Sequence, residues 1–410
     1  MRALWIAKEC SLQDRKDSPG LVAGYEHAFV EYGCDEQFQL AIAFSADGIH
    51  TGKTVQKKIL YYPVDAELDV GISETEWEKA RTELLKVVED YRPDIIQCFG
   101  SEWPYGLIAK SVGIPVVIHM MGFLNVYYDA IAMARGLHFR TDRGQSLLRR
   151  VMPLRGEWVR DTSGSEEERR ATVERRVMAA NRFFFGRTEW DLNLVRYYSP
   201  NSTYFRIEET LRPLYYKTPG VWRYHFDGKL KLFTLSSGDD RKGNEIILRT
   251  AKILGALLQM DFEWRVAGSK DFMPYYEKLT GIGHQRVSIE LLGKIEEEQI
   301  VEELKAADFF IHPSIIDNSP HSVCEAQMIG CPVIASNVGG VPQLVEHGVT
   351  GWLYPYNEPH SLVFLIGNLL RDTELLLRVS KNAVKTALER HDPETIVRKM
   401  KEAYETIITN

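Results

Sequence analysis

The chain has 410 residues, of which 44% are hydrophobic and 26% charged, and its formal net charge is −7. The length fits two ordinary domains, and so weak an acidic bias disfavours nucleic acid as a partner. The five cysteines form no C-x-x-C pair and are odd in number, which disfavours a disulfide framework or a zinc site and favours a reducing cytoplasm.

Short apolar runs recur through the first half of the chain, separated by longer helical or loop stretches. They are Leu4–Ala7, Leu40–Phe44, Ile95–Phe99, Val116–His119 and Phe183–Gly186. Continuous apolar runs of this length are typical of strands buried on both faces, and hence of a parallel sheet covered by helices. The first run predicts a strand and not a signal peptide, and no apolar stretch is long enough to span a membrane.

Two further segments of the first half stand out. Glu74–Glu89 mixes apolar with charged residues in the pattern of an amphipathic helix. Arg135–Arg160 holds seven arginines against Asp142 and Glu157, with apolar side chains interleaved. One interpretation is a basic surface that meets anionic lipid at the inner face of the membrane, or an anionic acceptor. The other is a solvated helical insertion with salt bridges to Glu166–Glu168.

The second half repeats the strand and helix alternation with cleaner signals. Strands are predicted at Leu230–Ser236, Trp264–Gly268, Ser288–Gly293, Phe309–Pro313, Val333–Ser336 and Gly351–Tyr354. Such alternation predicts two doubly wound α/β domains. The glycines and prolines of Pro213–Lys229 suggest the boundary, which gives domains of residues 1–215 and 216–390. Residues 391–410 are predicted as a separate C-terminal helix.

The most informative segment follows the predicted strand Phe309–Pro313. Asp317 lies in the loop beyond the carboxyl end of this strand, where open parallel sheets bind ligands. Glu325 lies in the first turns of the next helix, whose free amides suit an anionic ligand, and a carboxylate there suits a vicinal diol. The structural alternative is a capping box, in which Ser322 caps the helix and Glu325 reaches back to its amide.

Asp317 and Glu325 are separated by seven residues, and a series of short motifs follows them. In order these are Ala326, Gly330, Pro332–Ser336, Gly339–Gly340, His347–Gly348 and Thr350–Gly351. The segment resembles the E-x7-E region of the retaining GT-B family called glycosyl transferases group 1. The resemblance implies an α/β protein of two doubly wound Rossmann-like domains that face a cleft. It also implies that the helix in residues 391–410 returns to pack on the first domain.

The resemblance assigns donor-binding roles in this segment. It implies that Asp317 and the backbone of Ser319, Pro320, His321 and Ser322 contact the donor sugar, while Glu325 holds the ribose. The segment departs from the family pattern in two ways, and these leave the identity of the donor sugar undetermined. The first acid is Asp instead of the usual Glu, and larger residues stand between the two acids.

A second motif, Asp239–Gly243, lies between the first strand of the second domain and the next helix. On its own it is a charged turn. The resemblance makes Lys242 the phosphate-binding lysine at the head of that helix, where a cation suits a diphosphate. A second cation that is usual in the family is replaced by Ser236–Ser237, and Arg241 either compensates for it or faces solvent.

The remaining assignments also come from the resemblance. Gly268 ends a strand beside the nucleotide, and Lys294 and Ile295 lie near the base, although these turns are equally explained as ordinary ones. His119, at the end of Val116–His119, is expected to face the donor sugar across the cleft, with a satisfied structural histidine as the alternative. Pro19 and Gly20 resemble the acceptor loop. Arg187–Asp191 occupies the place of a polar strand-end turn in the family, and the resemblance assigns it no role.

The sequence therefore predicts a retaining, metal-independent enzyme that moves a hexose-type sugar from a nucleoside diphosphate sugar to a saccharide or lipid-linked acceptor. The expected setting is cell-surface polysaccharide synthesis, and the expected catalytic residues are His119, Asp317 and Lys242. No Asp-x-Asp motif or ligand cluster occurs, so neither metal nor cofactor is expected. The alternatives are a catalytically weak nucleotide-sugar-binding subunit and a GT-B nucleotide-sugar epimerase.

Overall fold

The computed structural model describes residues 1–13, 22–46, 52–66, 68, 73–134, 166–257 and 261–409. Pro19, Gly20 and the basic segment Arg135–Arg160 therefore lie outside the described residues. Within them, two separate sheets are present, each with its own apolar cores on both faces. This confirms the predicted class of two doubly wound α/β domains.

The first domain is built on a sheet of eight described strands in the order β3-β4-β2-β1-β5-β6-β7-β8. Only β3, paired with β4, runs antiparallel to its neighbour. The strands are β1 (Arg2–Ile6), β2 (Gln39–Ser45), β3 (Thr54–Gln56), β4 (Ile59–Val64), β5 (Ile95–Phe99), β6 (Val116–His119), β7 (Phe183–Gly186) and β8 (Thr203–Arg206). The helices are Ala23–Ala28, continued by the π-helical turn Phe29–Gly33, then Glu74–Tyr91, Leu124–Ala134, Glu166–Ala180 and Glu189–Tyr198, with 3-10 helices at Ser11–Gln13 and Pro104–Lys110.

The second domain has six described strands, all parallel, in the order β11-β10-β9-β12-β13-β14. They are β9 (Leu230–Ser236), β10 (Phe262–Gly268), β11 (Ile289–Gly293), β12 (Phe309–His312), β13 (Val333–Ser336) and β14 (Trp352–Tyr354). The helices are Pro213–Lys217, Asn244–Leu257, Met273–Thr280, Glu297–Ala306, His321–Ile329, Val341–Leu344, Pro359–Leu369 and Thr373–Arg390, with 3-10 helices at Asp240–Lys242 and His284–Val287.

The apolar runs of the sequence coincide with strands to within two residues at each end. Strands β3, β4 and β8 were not predicted. The short edge strands β3 and β8 contain no fully buried residue, so they carry no continuous apolar run. The predicted amphipathic helix extends over Glu74–Tyr91 and buries Ala80, Leu84, Val87 and Tyr91 on one face. The Ser73 side chain accepts a hydrogen bond from the Glu76 amide, which fixes where this helix begins.

The chain passes between the two domains twice in the described residues. Ile207 belongs to a core of the first domain, whereas Leu211 belongs to a core of the second. The passage therefore precedes the predicted boundary at residues 215 and 216. After Ala387, in the second domain, the chain returns through the C-terminal helix Pro393–Thr409.

The C-terminal helix packs on the first domain. It buries Ile396, Val397, Met400, Ala403, Tyr404 and Ile407 in the same core as Trp5 and Phe29. The indole Nε1 of Trp5 donates a hydrogen bond to the Tyr404 hydroxyl at 2.9 Å. No helix in the described part of the chain combines the length and apolarity needed to span a membrane.

Candidate active site

A cavity of about 520 Å³ lies between the two domains, beyond the carboxyl ends of β9 and β12. The second domain contributes Asp239, Arg241, Lys242, Asp317, Ser319 and His321 to its wall. The first domain contributes residues that include Glu102, Trp103, Met121, Tyr127, Arg170 and Arg187. Parallel strands bring their carboxyl ends to one edge of a sheet, which is why the two motifs of the second domain meet here.

Lys242 and Asp317 form the charged centre of this cavity. The Nζ of Lys242 donates to Oδ2 of Asp317 at 2.7 Å, and the His312 Nε2 lies 3.3 Å from the same oxygen. Burial alone raises the pKa of Asp317, but Lys242 and His312 outweigh it and hold the pKa well below its usual range. Asp317 is therefore an anion at neutral pH, and Lys242 is held against it.

Backbone contacts fasten the Lys242 turn to the loop that carries Asp317. Gly243 has a φ of +64°, and a Cβ on it would lie 1.9 Å from the Pro313 carbonyl oxygen. The Ile315 amide donates to the carbonyl of Arg241 at 2.7 Å. Only glycine permits both this conformation and this approach, so the Lys-Gly pair sets the distance between the two loops.

Arg241 lies on the cavity wall and does not extend into solvent. Its guanidinium donates to both carboxylate oxygens of Asp239, at 2.8 to 3.0 Å. Its Cζ lies 4.3 Å from the centroid of the Tyr127 ring, which belongs to the first domain. Arg241 thus brings a second cation to the cavity, although Asp239 already partly neutralises it.

The helix His321–Ile329 presents an uncapped N-terminus. Pro320 is the N-cap residue, and among the described residues no side-chain hydrogen bond caps this end of the helix. The capping-box interpretation of Ser322 and Glu325 is therefore wrong. Glu325 instead accepts a hydrogen bond from Nη2 of Arg212 at 2.8 Å, and its side chain is 6% exposed. The amides of the first helical turn remain suited to an anion.

Glu209, which the sequence did not reveal, is buried and contacts cavity-lining side chains from both domains. Its Oε2 lies 2.5 Å from Nη1 of Arg187 and 2.9 Å from Nε2 of His321, and the Ser319 hydroxyl donates to its Oε1 at 2.7 Å. Burial raises the pKa of Glu209, but His321 and Arg187 outweigh it and lower the pKa well below its usual range. Burial also lowers the pKa of His321, whereas Glu209 outweighs burial and raises it.

The strand-end turn Arg187–Asp191 also holds the donor-side loop. The Thr188 hydroxyl donates to Oδ1 of Asn318 at 2.7 Å, and Nδ2 of Asn318 donates to Oδ2 of Asp191 at 3.0 Å. Asn318 is the residue next to Asp317, so the first domain orients this loop directly. The polar turn noted in the sequence thereby acquires a structural role.

His119 does not lie on the cavity wall, which corrects its expected position. The ring is fully buried between Phe99 and Phe185. Nε2 of Gln97 donates to its Nδ1 at 3.1 Å, which leaves Nε2–H to face the Tyr25 hydroxyl at 3.2 Å. Burial lowers the pKa of His119 to about 3, so it is neutral. The structural alternative accounts for these contacts, and the catalytic role stays a prediction.

Other predicted donor residues lie away from the cavity wall. Gly268 has a φ of +133°, and an added Cβ would lie 1.7 Å from the Ser236 carbonyl oxygen, so strand packing alone requires glycine there. Ile295 packs against the core of the second domain. Lys294 precedes it at the end of β11, and neither residue is among those that line the cavity. Their nucleotide-binding roles stay predictions.

One grouping in the described part of the chain has the spacing of metal ligands. Glu209, Cys324 and His391 offer ligand atoms within 4.8 Å of one another. However, Nδ1 of His391 is engaged with the Glu209 carbonyl oxygen at 2.7 Å, and Nε of Arg390 donates to its Nε2 at 3.0 Å. With Arg187 also paired to Glu209, two guanidinium groups oppose a further cation.

Sequence comparison identifies the second domain. Residues 223–386 match the family model described as glycosyl transferases group 1. The amylovoran biosynthesis glycosyltransferase AmsK of Erwinia amylovora is 25% identical over 171 residues, 40% of this chain and 42% of that protein. The putative colanic acid biosynthesis glycosyltransferase WcaL of Salmonella typhimurium is 26% identical over 201 residues, 47% of each. The chain thus matches less than half of the length of these curated relatives.

Structure comparison covers the whole chain. Sucrose-phosphate synthase from Thermosynechococcus elongatus superposes with a TM-score of 0.72 at 16% identity, covering 100% of this chain and 99% of that one. Anabaena HepE in complex with UDP-glucose gives a TM-score of 0.63 at 16% identity, covering 99% and 100%. The chain has the GT-B fold, and its second domain carries the glycosyl transferases group 1 signature that the motifs resembled.

Proposed function

From the GT-B fold and the group 1 domain, we propose that this chain is a retaining, metal-independent glycosyltransferase. It transfers a hexose-type sugar from a nucleoside diphosphate sugar to a hydroxyl of a saccharide or lipid-linked acceptor. The proposed setting is the synthesis of a cell-surface polysaccharide, in line with the names of AmsK and WcaL.

One observation carries the proposal: Lys242 and Asp317 meet at 2.7 Å on the wall of a cavity between two Rossmann-like domains. In a glycosyl transfer from a diphosphate donor, negative charge grows on the leaving diphosphate. Cations and helix amides fixed beforehand are an efficient means of stabilising such charge. The cavity has both kinds of group on its wall. Lys242 and Arg241 supply the cations, and the N-terminus of His321–Ile329 supplies the helix amides.

The arrangement of charged groups in the second domain supports the following donor contacts. The diphosphate binds Lys242 and the first amides of the helix His321–Ile329. His321, whose pKa Glu209 raises, lies on the same wall and adds positive charge in its protonated form. Asp317 orients the donor sugar. Glu325, held by Arg212, accepts hydrogen bonds from the two ribose hydroxyls.

The acceptor approaches from the first domain, whose residues form the opposite wall. Its hydroxyl attacks the anomeric carbon on the face from which the diphosphate departs, and its proton passes to the leaving phosphate, so no dedicated base is required. Peripheral membrane contact through Arg135–Arg160, outside the described residues, stays a prediction.

A thermal-shift screen against UDP, GDP, ADP and their hexose derivatives tests the donor half of the proposal. A matching donor raises the melting temperature, because it binds only the folded chain. Incubation of that donor with methyl hexosides, with and without EDTA, tests transfer, metal independence and, by NMR of the product, retention. An inverted product refutes the retaining mechanism, and activity lost in EDTA refutes metal independence.

The same experiment separates the alternatives. A donor that is bound, yet neither transferred nor slowly hydrolysed, identifies a nucleotide-sugar-binding subunit. This alternative is favoured by Asp317, which stands in place of the family's usual Glu, and by Ser236–Ser237, which stand in place of the usual second cation. A donor recovered with altered sugar stereochemistry identifies an epimerase.

A further inference from the structure

One carboxylate on the cavity wall has no part in the donor contacts. Glu102 follows β5 of the first domain and lines the cavity across from the Lys242 turn. It lies on the side from which the acceptor approaches, in a stretch without any sequence motif.

The Glu102 carboxylate is only partly hydrogen-bonded, since its own backbone amide is the one group among the described residues that donates to it. Its Oε2 is shielded from solvent, and no group in the described chain donates a hydrogen bond to it. Glu174 nearby shows the ordinary arrangement: its Oε1 accepts from the Ser101 hydroxyl and the Leu124 amide, each at 3.0 Å. A buried carboxylate oxygen without a donor is costly, and such groups in native proteins call for an explanation. Because Glu102 also lines the cavity, its carboxyl group is placed to bond a ligand hydroxyl.

The charges around Glu102 set its protonation. Burial raises the pKa of Glu102 to about 7, and the Glu174 carboxylate adds to this effect. Arg241 from the second domain and Arg170 from the helix Glu166–Ala180 act in the opposite direction. At neutral pH the group is therefore divided between a carboxyl that donates and a carboxylate that accepts, and either form bonds a hydroxyl.

The surroundings of Glu102 are aromatic. Trp103 and Tyr127 line the same cavity, and the Tyr127 ring lies 6.1 Å from Trp190 in a stacked arrangement. Trp103 is held by Arg170, whose Cζ lies 5.4 Å from the ring centroid. The cavity wall thus combines aromatic rings with polar groups, which is the common form of a small-molecule site.

We propose that Glu102 is an acceptor-binding residue, whose carboxyl group hydrogen-bonds a hydroxyl of a neutral acceptor sugar and selects for that hydroxyl. The inference rests on the proposed function, because it names a group that recognises the acceptor of the same reaction. The bond positions the sugar and takes no part in proton transfer.

The test compares Glu102→Gln with Glu89→Gln, a matched change on an exposed residue of the helix Glu74–Tyr91. Acceptors are methyl α- and β-glucoside, galactoside and mannoside, used with the donor found by thermal shift. Glu102→Gln raises the acceptor KM by about tenfold or more, the effect of losing one hydrogen bond to a charged group. Donor affinity stays within about twofold, since the donor contacts lie elsewhere.

Two further readouts separate acceptor binding from a structural role. In the native chain, kcat/KM for the acceptor sugar rises as the pH increases through about 7. The reason is that the Glu102 carboxyl loses its proton and then accepts hydrogen bonds more strongly. This rise is absent in Glu102→Gln. The melting temperature of Glu102→Gln without ligand is unchanged or higher, because a buried charge that is only partly hydrogen-bonded is removed.

The inference is overturned if Glu102→Gln has the same acceptor KM and the same pH profile as the Glu89→Gln control. The transfer activity remains established in that case. A lower melting temperature accompanied by weakened donor binding assigns Glu102 a structural role and also overturns it. If the native chain binds a donor but forms no glycosidic product, the proposed function is refuted, and the acceptor-binding role of Glu102 is refuted with it.

Discussion

Replacing Lys242 by methionine removes the cation at the centre of the cavity while keeping much of its apolar stem. In the free protein this breaks a 2.7 Å ion pair whose side chains are 20% and 10% exposed. A hydrogen bond to a charged group at such a site contributes about 1.5–3 kcal/mol. His312, 3.3 Å from the same Asp317 oxygen, remains in place, so the lower part of that range applies to the free energy of unfolding.

The same substitution should also weaken the affinity for the donor. If Lys242 keeps its contact with Asp317 while it also donates to the diphosphate, its loss removes one charge-assisted bond from the complex alone, and donor Kd rises about 10- to 150-fold. Calorimetric titration of the donor checks this, with Lys252→Ala, an exposed change on the following helix, as the control. A Lys242→Met protein that binds donor as tightly as the control refutes the phosphate assignment.

The stability of the same variant depends on pH in a defined direction. The pKa of Asp317 is lowered in the folded state, so its contribution is present above the unfolded value near 4 and is lost as pH falls through the folded pKa. Replacing Lys242 moves that pKa back up. The stability difference between native and variant is therefore largest at neutral pH and narrows below about pH 4, which urea unfolding at several pH values measures.

Three other changes probe the site. Glu325→Gln should weaken donor binding about tenfold or more, because the ribose loses a charged acceptor; titration with the nucleoside diphosphate alone measures it, and unchanged affinity would contradict the ribose role. Gly243→Ala should cost about 1–3 kcal/mol from its left-handed backbone, and more from the clash with Pro313, as urea unfolding would show. The ion pair of His321 and Glu209, which raises the pKa of His321, contributes fully below about pH 6.5 and is lost as pH rises through the folded pKa. The gap in melting temperature between native and His321→Gln should accordingly shrink as the pH rises above about 6.5, and a constant gap would count against the pair.

The parts of the fold that the sequence predicted well are those dictated by burial. Strands covered on both faces need continuous apolar runs, so β5, β6 and β9 could be located by composition alone. The meeting of Lys242 with Asp317 followed from the parallel arrangement of β9 and β12. Edge strands such as β3 expose their side chains and leave no comparable pattern.

The parts that sequence reasoning missed depend on contacts between distant segments. Glu325 could equally have closed a capping box, and Arg212, 113 residues earlier in the chain, decides against it. Glu209 and Glu102 are single carboxylates outside any motif, and only the approach of two domains gives them their environments. The orientation of His119 depends on whether a strand-end side chain turns toward the core or the cleft, which composition does not determine.

The contact between Trp5 and Tyr404 spans 399 positions of the chain, and it has a consequence for biosynthesis. A ribosome releases β1 long before the helix Pro393–Thr409 that covers it, so a nascent polypeptide carries an uncovered indole and its aromatic neighbours until that helix has emerged. The core of the first domain is accordingly completed only after residues 393–409 have been synthesised, and a chain that stalls or is truncated before them exposes an apolar face to chaperones and to other copies of itself.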